Sequence, residues 1–317
     1  MKHLLDAELA EDFDALPQMD IWEDLPKARQ LIAKARSEML AQLPIVENIH
    51  STDCMAEAQG SLAVPVRVYR PTNQIQTLPA LLWVHGGGYC LGSVAQDDYI
   101  VRRLVEAIGA VVVSVDYRLA PEHPYPVPLD DCYCALQWLF NNAEVLSVDE
   151  TRIGIGGISA GAGLAAGLAL LARDRGQFNV IFQALLCPMI DDRSVTASSY
   201  MVTDLRVWNR NSNINGWNAY LGRDPESADN APSLYAAPSR AENLVGLPPA
   251  YIAVGSVDAF IDENTDYALR LNDAGVETQF EVFKGGYHAF EFNMPDAQIS
   301  KRARDCHYQA IRRGLFG

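Results

Sequence analysis

The segment 157–161, Gly-Ile-Ser-Ala-Gly, constrains the fold of this chain more than any other feature. It fits the pattern G-x-S-x-G, in which a sharp turn between a strand and a helix lifts a serine above a parallel sheet. Residues 152–155 before it predict a short buried strand, and residues 160–172, rich in Ala, Leu and Gly, predict a helix. Ser159 therefore lies in the strand–turn–helix context that a nucleophilic serine needs.

A run of glycines follows a second apolar stretch. Residues 80–84, Ala-Leu-Leu-Trp-Val, lead directly into a His-Gly-Gly-Gly loop at 85–88. Consecutive glycines leave backbone N–H groups uncovered by side chains, so these groups can donate to a developing oxyanion. The N–H that follows the serine, that of Ala160, would join them. A flexible loop without this role is the alternative interpretation.

Asp258 and His288 follow two further predicted strands, the apolar run 250–255 and the alternating run 278–283. Sites in α/β proteins form at the carboxyl ends of the strands, so both side chains could reach Ser159. The chain order serine, aspartate, histidine is one in which a catalytic triad occurs.

Each of these two residues also has a plainer interpretation. Asp258 could cap a helix, because aspartate is a favoured N-cap residue. Asp262 is the rival acid, although it fits the first turn of a helix predicted over about 263–272. His288 could be an ordinary surface residue of its loop.

The segment 117–124, Tyr-Arg-Leu-Ala-Pro-Glu-His-Pro, is long enough to be highly specific. Together with the two glycine motifs, it resembles the hormone-sensitive-lipase branch of the α/β-hydrolases, the bacterial family IV carboxylesterases. Residues 246–250, Gly-Leu-Pro-Pro-Ala, and the pair at 262–263, Asp-Glu, also resemble landmarks of that family. The similarity extends from about residue 66 to residue 292.

The resemblance implies a serine carboxylesterase that hydrolyses short- to medium-chain acyl esters through an acyl-enzyme intermediate, with no cofactor and no metal. The matching positions are the triad Ser159, Asp258 and His288; the oxyanion donors Gly87, Gly88 and Ala160; and the supporting loop residues His85 and Gly86. Two positions depart from the family pattern, because Ile158 stands where Asp is frequent and Ala259-Phe260 stands where Pro-Leu is frequent. Neither departure removes a reacting group.

Other functions compete with this one. An amidase, lactonase or carbamate hydrolase would use the same triad, and a non-catalytic ligand-binding relative would share the fold. Residues 161–166 fit the dinucleotide pattern G-x-G-x-x-A. That pattern belongs after the first strand of its βαβ unit, with an acidic residue about 20 positions on, and neither condition is well met.

The amino-acid composition argues against several classes of binding partner. The formal net charge of −15 and a pI of about 4.8 argue against nucleic acid and against anionic membrane surfaces. Residues 153–172 carry no charge and are long enough to suggest a membrane span, but a strand, turn and helix explain their glycines better. The N-terminus, which soon becomes acidic, does not resemble a signal peptide. The six cysteines show no C-x-x-C pair, so reduced thiols and a cytoplasmic location are expected.

Hydrophobic patterns predict an antiparallel opening pair of strands and then a mostly parallel set, with helices between most pairs. The predicted strands are 45–50, 64–69, 78–84, 110–115, 152–155, 180–186, 249–255 and 278–283. With the resemblance, this predicts an α/β-hydrolase fold, a mostly parallel eight-stranded sheet flanked by helices. Residues 1–43 are expected to form N-terminal cap helices, and 44–317 the catalytic domain, with 191–248 contributing to the cap.

Three aromatic residues are candidates for lining a substrate pocket. Tyr89 lies beside the glycine loop, and Trp208 and Trp217 lie in the 191–248 segment. Each of the two tryptophans could equally be a core residue. A homodimer is compatible with the sequence. If the last predicted strand, 278–283, lies at the edge of the sheet, it could pair with the same strand of a second copy.

Overall fold

A computed structural model describes residues 1–57, 62–223 and 232–317. Its strands are β1 (Ile49–Ala56), β2 (Val64–Pro71), β3 (Leu78–Val84), β4 (Val111–Val115), β5 (Val148–Ile158), β6 (Gln183–Leu186), β7 (Ala250–Gly255) and β8 (Thr278–Phe283). They form one sheet in the order β1-β2-β4-β3-β5-β6-β7-β8. The pairs β1–β2 and β2–β4 are antiparallel, and the other pairs are parallel. The predicted eight-stranded, mostly parallel sheet is confirmed.

Helices cover both faces of this sheet. They are α1 (Ala7–Asp12), α2 (Leu25–Leu40), α3 (Val94–Ile108), α4 (Val127–Asn141), α5 (Ala160–Arg175), α6 (Ala197–Met201), α7 (Arg210–Leu221), α8 (Ile261–Asp273), α9 (Phe290–Asn293) and α10 (Gln298–Phe316). Helix α3 packs on β2 and β4 and contacts α10, whereas α4 and α5 contact each other over the central strands. Strands β3, β4, β6 and β7 are buried throughout because they lie between these two layers, whereas β8, at the edge of the sheet, is largely half-buried.

Several strands begin or end at residues other than those predicted from the sequence. Strand β1 lies at 49–56 rather than 45–50, because its polar residues pair one by one with β2 at the exposed edge of the sheet. Backbone pairing, which apolar periodicity does not report, fixes its register. Strand β5 begins earlier than predicted, at Val148, which pairs with Leu78. Strand β6 is shorter, because only 183–186 pair with both neighbours.

The N-terminal segment packs against the loop that follows β8. The Asp6 N–H donates to the Gly285 carbonyl at 3.1 Å. The ring of Phe13 meets Tyr287 edge-on, with 5.7 Å between centroids. These contacts place the start of the N-terminal segment beside the loop that follows the carboxyl end of β8.

The 191–248 segment contains α6, α7 and a short 3-10 turn at Pro238–Arg240, and no strand in its described part. Its residues 224–231 lie outside the described residues. Within the described ranges, no helix is both long and apolar enough to cross a membrane.

Candidate active site

Ser159 occupies a strained turn between β5 and α5. Its φ of 56° and ψ of −122° are unusual for a residue with a side chain, and its N–H donates to the Leu186 carbonyl at 2.8 Å. A Cβ atom at Gly157 would lie 2.5 Å from the Val84 carbonyl oxygen, and one at Gly161 would lie 2.1 Å from the same atom. The turn therefore needs glycine at both positions, which explains the pattern in the sequence.

Ser159, His288 and Asp258 are joined by two hydrogen bonds. The Oγ atom of Ser159 lies 2.9 Å from Nε2 of His288, and Nδ1 of His288 lies 2.8 Å from Oδ2 of Asp258. The other oxygen of Asp258 accepts the Phe260 N–H at 3.0 Å. All three triad side chains are buried. The hydrogen bonds orient the imidazole so that its Nε2 faces the serine hydroxyl.

The charge of His288 is controlled by two opposing effects. Burial alone would lower its pKa, but the adjacent Asp258 carboxylate raises the pKa of His288 well above the ordinary value. Cys187 directly follows β6, and its sulfur lies within 4.8 Å of ligand atoms of His288 and Asp258. Burial raises the pKa of the Cys187 thiol, which therefore stays protonated. No sequence signal marks this cysteine.

The rival acid does not reach the imidazole. Asp262 lies in the first turn of α8, as predicted, and its Oδ2 accepts the Ser198 N–H at 2.8 Å. Asp258 is not a helix cap, because α8 begins at Ile261 and its N-cap residue is Phe260. Glu263 is buried and accepts the Ile190 N–H at 3.0 Å, so this family landmark ties α8 to the loop after β6.

The glycine loop presents free N–H groups beside the serine. Gly87 and Gly88 have φ angles of 124° and 59°, which favour glycine. Across the described ranges, no acceptor receives a hydrogen bond from the N–H of Gly87, Gly88 or Ala160. Ala160 is the first residue of α5, where the N–H has no partner within the helix. Such donors can bind an anion.

The side chain of His85 helps to hold the glycine loop in position. It is fully buried, and its ring stacks on Tyr117 with 4.3 Å between centroids. The Tyr117 hydroxyl donates to the His85 carbonyl at 3.1 Å, and the Nδ1 of His85 lies 2.8 Å from the Gly86 carbonyl oxygen. The 117–124 segment therefore contributes a residue that holds the glycine loop in place.

A cavity of about 400 Å³ opens onto Ser159 and His288. It is lined by the glycines at 86–88, by Ile158 and by residues of the segments 17–36 and 205–212. Trp208 is among these lining residues, as predicted.

Tyr89 and Trp217 do not line the cavity, so these two predictions are wrong. The Tyr89 side chain points into the core, stacks on Tyr220 at 3.9 Å between centroids and donates to the Met189 carbonyl at 2.9 Å. Trp217 is buried against Tyr89, with ring centroids 5.3 Å apart. A φ of 66° at Tyr89 turns its side chain away from the loop that precedes it.

Comparison with known proteins gives the family. A family model described as the alpha/beta hydrolase fold matches residues 81–292. Carboxylesterase NlhH of Mycobacterium tuberculosis is 36% identical over 279 residues, which are 86% of this chain and 85% of that protein. Among solved structures, a bacterial heroin esterase has a TM-score of 0.93 at 40% identity and covers 99% of both chains. Esterase LipW from Mycobacterium marinum has a TM-score of 0.90 at 33% identity and covers 100% of this chain and 98% of that one.

The chain belongs to the α/β-hydrolase family. The resemblance to its hormone-sensitive-lipase branch, predicted from the sequence motifs, is confirmed by these relatives.

Proposed function

We propose that this protein is a serine carboxylesterase that hydrolyses short- to medium-chain acyl esters, with Ser159 as nucleophile, His288 as base and Asp258 as the orienting acid. The observation that carries the proposal is the unbroken chain of hydrogen bonds from the Ser159 hydroxyl through His288 to Asp258. The carboxylesterase and esterase names of the similar proteins support it.

In the first half of the reaction, Nε2 of His288 takes the Ser159 proton as Oγ attacks the ester carbonyl carbon. The developing oxyanion would accept hydrogen bonds from the N–H groups of Gly87, Gly88 and Ala160. Loss of one such donor typically costs about 3 kcal/mol of barrier. His288 then gives its proton to the departing alcohol, which leaves an acyl group on Ser159.

In the second half, His288 takes a proton from water as the water oxygen attacks the acyl carbon. The bond between this carbon and Ser159 Oγ then breaks, His288 returns the proton to Oγ, and the carboxylic acid leaves. Asp258 keeps the Nδ1 proton of His288 in place and stabilises the imidazolium in both halves. The same geometry could act on amides, lactones or carbamates, but the ester names of the relatives favour esters.

We also propose that residues 1–43 and 191–248 act together as a cap over the site, since both contribute side chains to the cavity wall. Residues 44–317 would form the catalytic domain, with 191–248 contributing to the cap. The six cysteines are present as thiols, which fits a reducing cytoplasm. Strand β8 is at the end of the sheet order, where it could pair with a second copy to form a homodimer.

The proposal is tested by labelling with phenylmethanesulfonyl fluoride and mapping the adduct by mass spectrometry. We expect a single adduct on Ser159, in parallel with loss of p-nitrophenyl acetate hydrolysis. Ser159→Ala should melt like the wild type and lose activity by about 10⁴-fold or more. Activity that survives in Ser159→Ala, or an inactivating adduct on another residue, would refute the assignment. p-Nitroacetanilide, the amide of matching shape, separates an esterase from an amidase.

A further inference from the structure

Asp97 brings an incompletely partnered carboxylate to the cavity that contains Ser159. It lies in the first turn of α3 and lines the same cavity as the glycine loop and His288. Its Oδ2 accepts the Nε1–H of Trp83 at 3.3 Å. Among the described residues, no donor forms a hydrogen bond with its second oxygen. One acceptor of the carboxylate is therefore left for a ligand.

The cations of the cavity do not satisfy this carboxylate. Arg206 is paired with Asp204 at 3.1 Å and lies 3.7 Å from Asp14. His85 and Arg36 both interact electrostatically with Asp97 without a hydrogen bond to it, and the Nε of Arg36 donates to the Gln96 carbonyl at 3.1 Å. Within the described parts of the chain, Asp97 forms no salt bridge.

A purely structural role would not require a charge at this position. An amide or hydroxyl oxygen could accept the Trp83 N–H equally well, without the cost of removing a carboxylate from water. Burial raises the pKa of Asp97, whereas His85, Arg36, the Trp83 N–H and the N-terminus of α3 act in the opposite direction and favour the carboxylate. A cation that enters this partly desolvated space would favour the ionised form of Asp97 and be attracted to it.

We propose that Asp97 forms a subsite for a protonated amine, so that esters bearing an ammonium group are preferred over neutral esters of the same shape. This inference rests on the proposed esterase function. A charge-assisted N–H···O bond from the substrate would occupy the free carboxylate oxygen. The overall charge of −15 also draws cationic substrates toward the protein.

The test uses two esters of matched shape, 2-(dimethylamino)ethyl acetate, which is protonated at neutral pH, and 3-methylbutyl acetate. The quantity measured is the ratio of kcat/KM for the cationic ester to that for the neutral ester. Intrinsic differences in ester reactivity cancel when this ratio is compared between the wild type and a variant. Asp97→Asn retains an oxygen for Trp83 and removes only the charge.

We expect Asp97→Asn to lower this ratio by about tenfold, the effect of losing one charge-assisted bond. The kcat/KM for the neutral ester should stay within about threefold of the wild type, which corresponds to under 1 kcal/mol. Arg36→Gln is the matched control in the same cavity, because removal of a positive charge should shift the ratio in the opposite direction. Equal losses for both esters in Asp97→Asn, or an unchanged ratio, would overturn the subsite.

A separate measurement shows whether the proposed esterase function itself is wrong. If the wild type does not hydrolyse p-nitrophenyl acetate, the function is wrong, whatever Asp97 does. The subsite is then tested by ligand-observed NMR on Ser159→Ala with 2-(dimethylamino)ethanol and 3-methylbutan-1-ol. Preferential binding of the amine that disappears in Ser159→Ala/Asp97→Asn supports the subsite, and equal binding of the two alcohols rejects it.

Discussion

A Cβ atom on Gly88 would lie 1.9 Å from the Cη2 atom of Trp208, so the indole closes the cavity directly against the glycine loop. Trp208 precedes α7, in the segment between β6 and β7. One aromatic ring of this segment therefore limits the space beside a proposed oxyanion donor. This contact makes Trp208 a candidate for setting the size of substrate that fits.

Trp208→Ala should widen the cavity and shift the preference toward bulkier acyl groups. We expect the ratio of kcat/KM for p-nitrophenyl octanoate to that for the acetate to rise by about tenfold, because a ring-sized obstacle is removed. Trp217→Phe is the control, since Trp217 is buried away from the cavity. Trp217→Phe should lower the melting temperature and leave the chain-length preference unchanged. The same shift in both variants would contradict the role of Trp208.

The activity should fall as the pH decreases, with an apparent pKa above the ordinary histidine value of about 6.5. The base must be neutral to accept the Ser159 proton, and Asp258 raises the pKa of His288. Asp258→Asn removes this carboxylate, so the acid limb of kcat/KM should move to lower pH while kcat falls by up to about 10⁴-fold. Asp262→Asn is the control and should leave the limb in place. If the acid limb of the kcat/KM profile stays at the same pH in Asp258→Asn, the pairing of Asp258 with His288 is disproved.

Arg29 on α2 fastens the N-terminal segment to the loops around the glycine motif. Its guanidinium donates to the carbonyls of Cys90 and Ala120 at 2.8 and 2.7 Å and pairs with Glu122 at 2.6 Å. Arg29→Met should lower the free energy of unfolding by about 2 kcal/mol, mainly through the two carbonyls left without a donor. Glu122→Gln removes only the ion pair, whose acidic partner is 54% exposed, and should cost under about 1 kcal/mol. Urea denaturation measures both, and equal losses would show that the ion pair dominates.

Gly161→Ala should prevent stable folding. Its Cβ would lie 2.1 Å from the Val84 carbonyl oxygen and 2.3 Å from that of His85, and neither backbone group can move without displacing β3 or the glycine loop. We expect a loss of at least about 4 kcal/mol, seen as low soluble yield or a large drop in melting temperature. Gly176→Ala provides the comparison, because this glycine has a φ of 62° but no atom within 4 Å of its Cβ. It should cost about 1 kcal/mol. A Gly161→Ala protein that melts like Gly176→Ala would refute the steric explanation.

The proposed triad and the glycine loop could be predicted because each of their residues belongs to a short sequence motif or directly follows a predicted strand. The glycines around Ser159 and at 86–88 report backbone geometry that only glycine adopts easily. Asp258 and His288 follow strands, and parallel strands bring their carboxyl ends to one edge of the sheet. The strands that end at this edge were located along the chain from their apolar patterns, whereas strand β1 was misplaced, since its polar sequence carries no apolar pattern.

The wall of the cavity could not be predicted in this way. Trp208 and Trp217 are both aromatic residues of the same segment, yet only Trp208 lines the cavity. Tyr89, next to the glycine loop, turns into the core because of its backbone φ. Asp97 and Arg36 face the cavity from elements with no chemical motif. Cys187 meets the triad only because β6 is paired between β5 and β7.

The sequence by itself determined the type of sheet, the turn that carries Ser159 and the three residues of the proposed triad. These depend on short-range backbone rules and on the shared edge at which parallel strands end. Only the tertiary structure decided which side chains surround the substrate. Those contacts arise between elements far apart in the chain, and the direction of each side chain depends on packing that no local pattern encodes. The Gly88–Trp208 contact, across 120 positions of sequence, is one such decision.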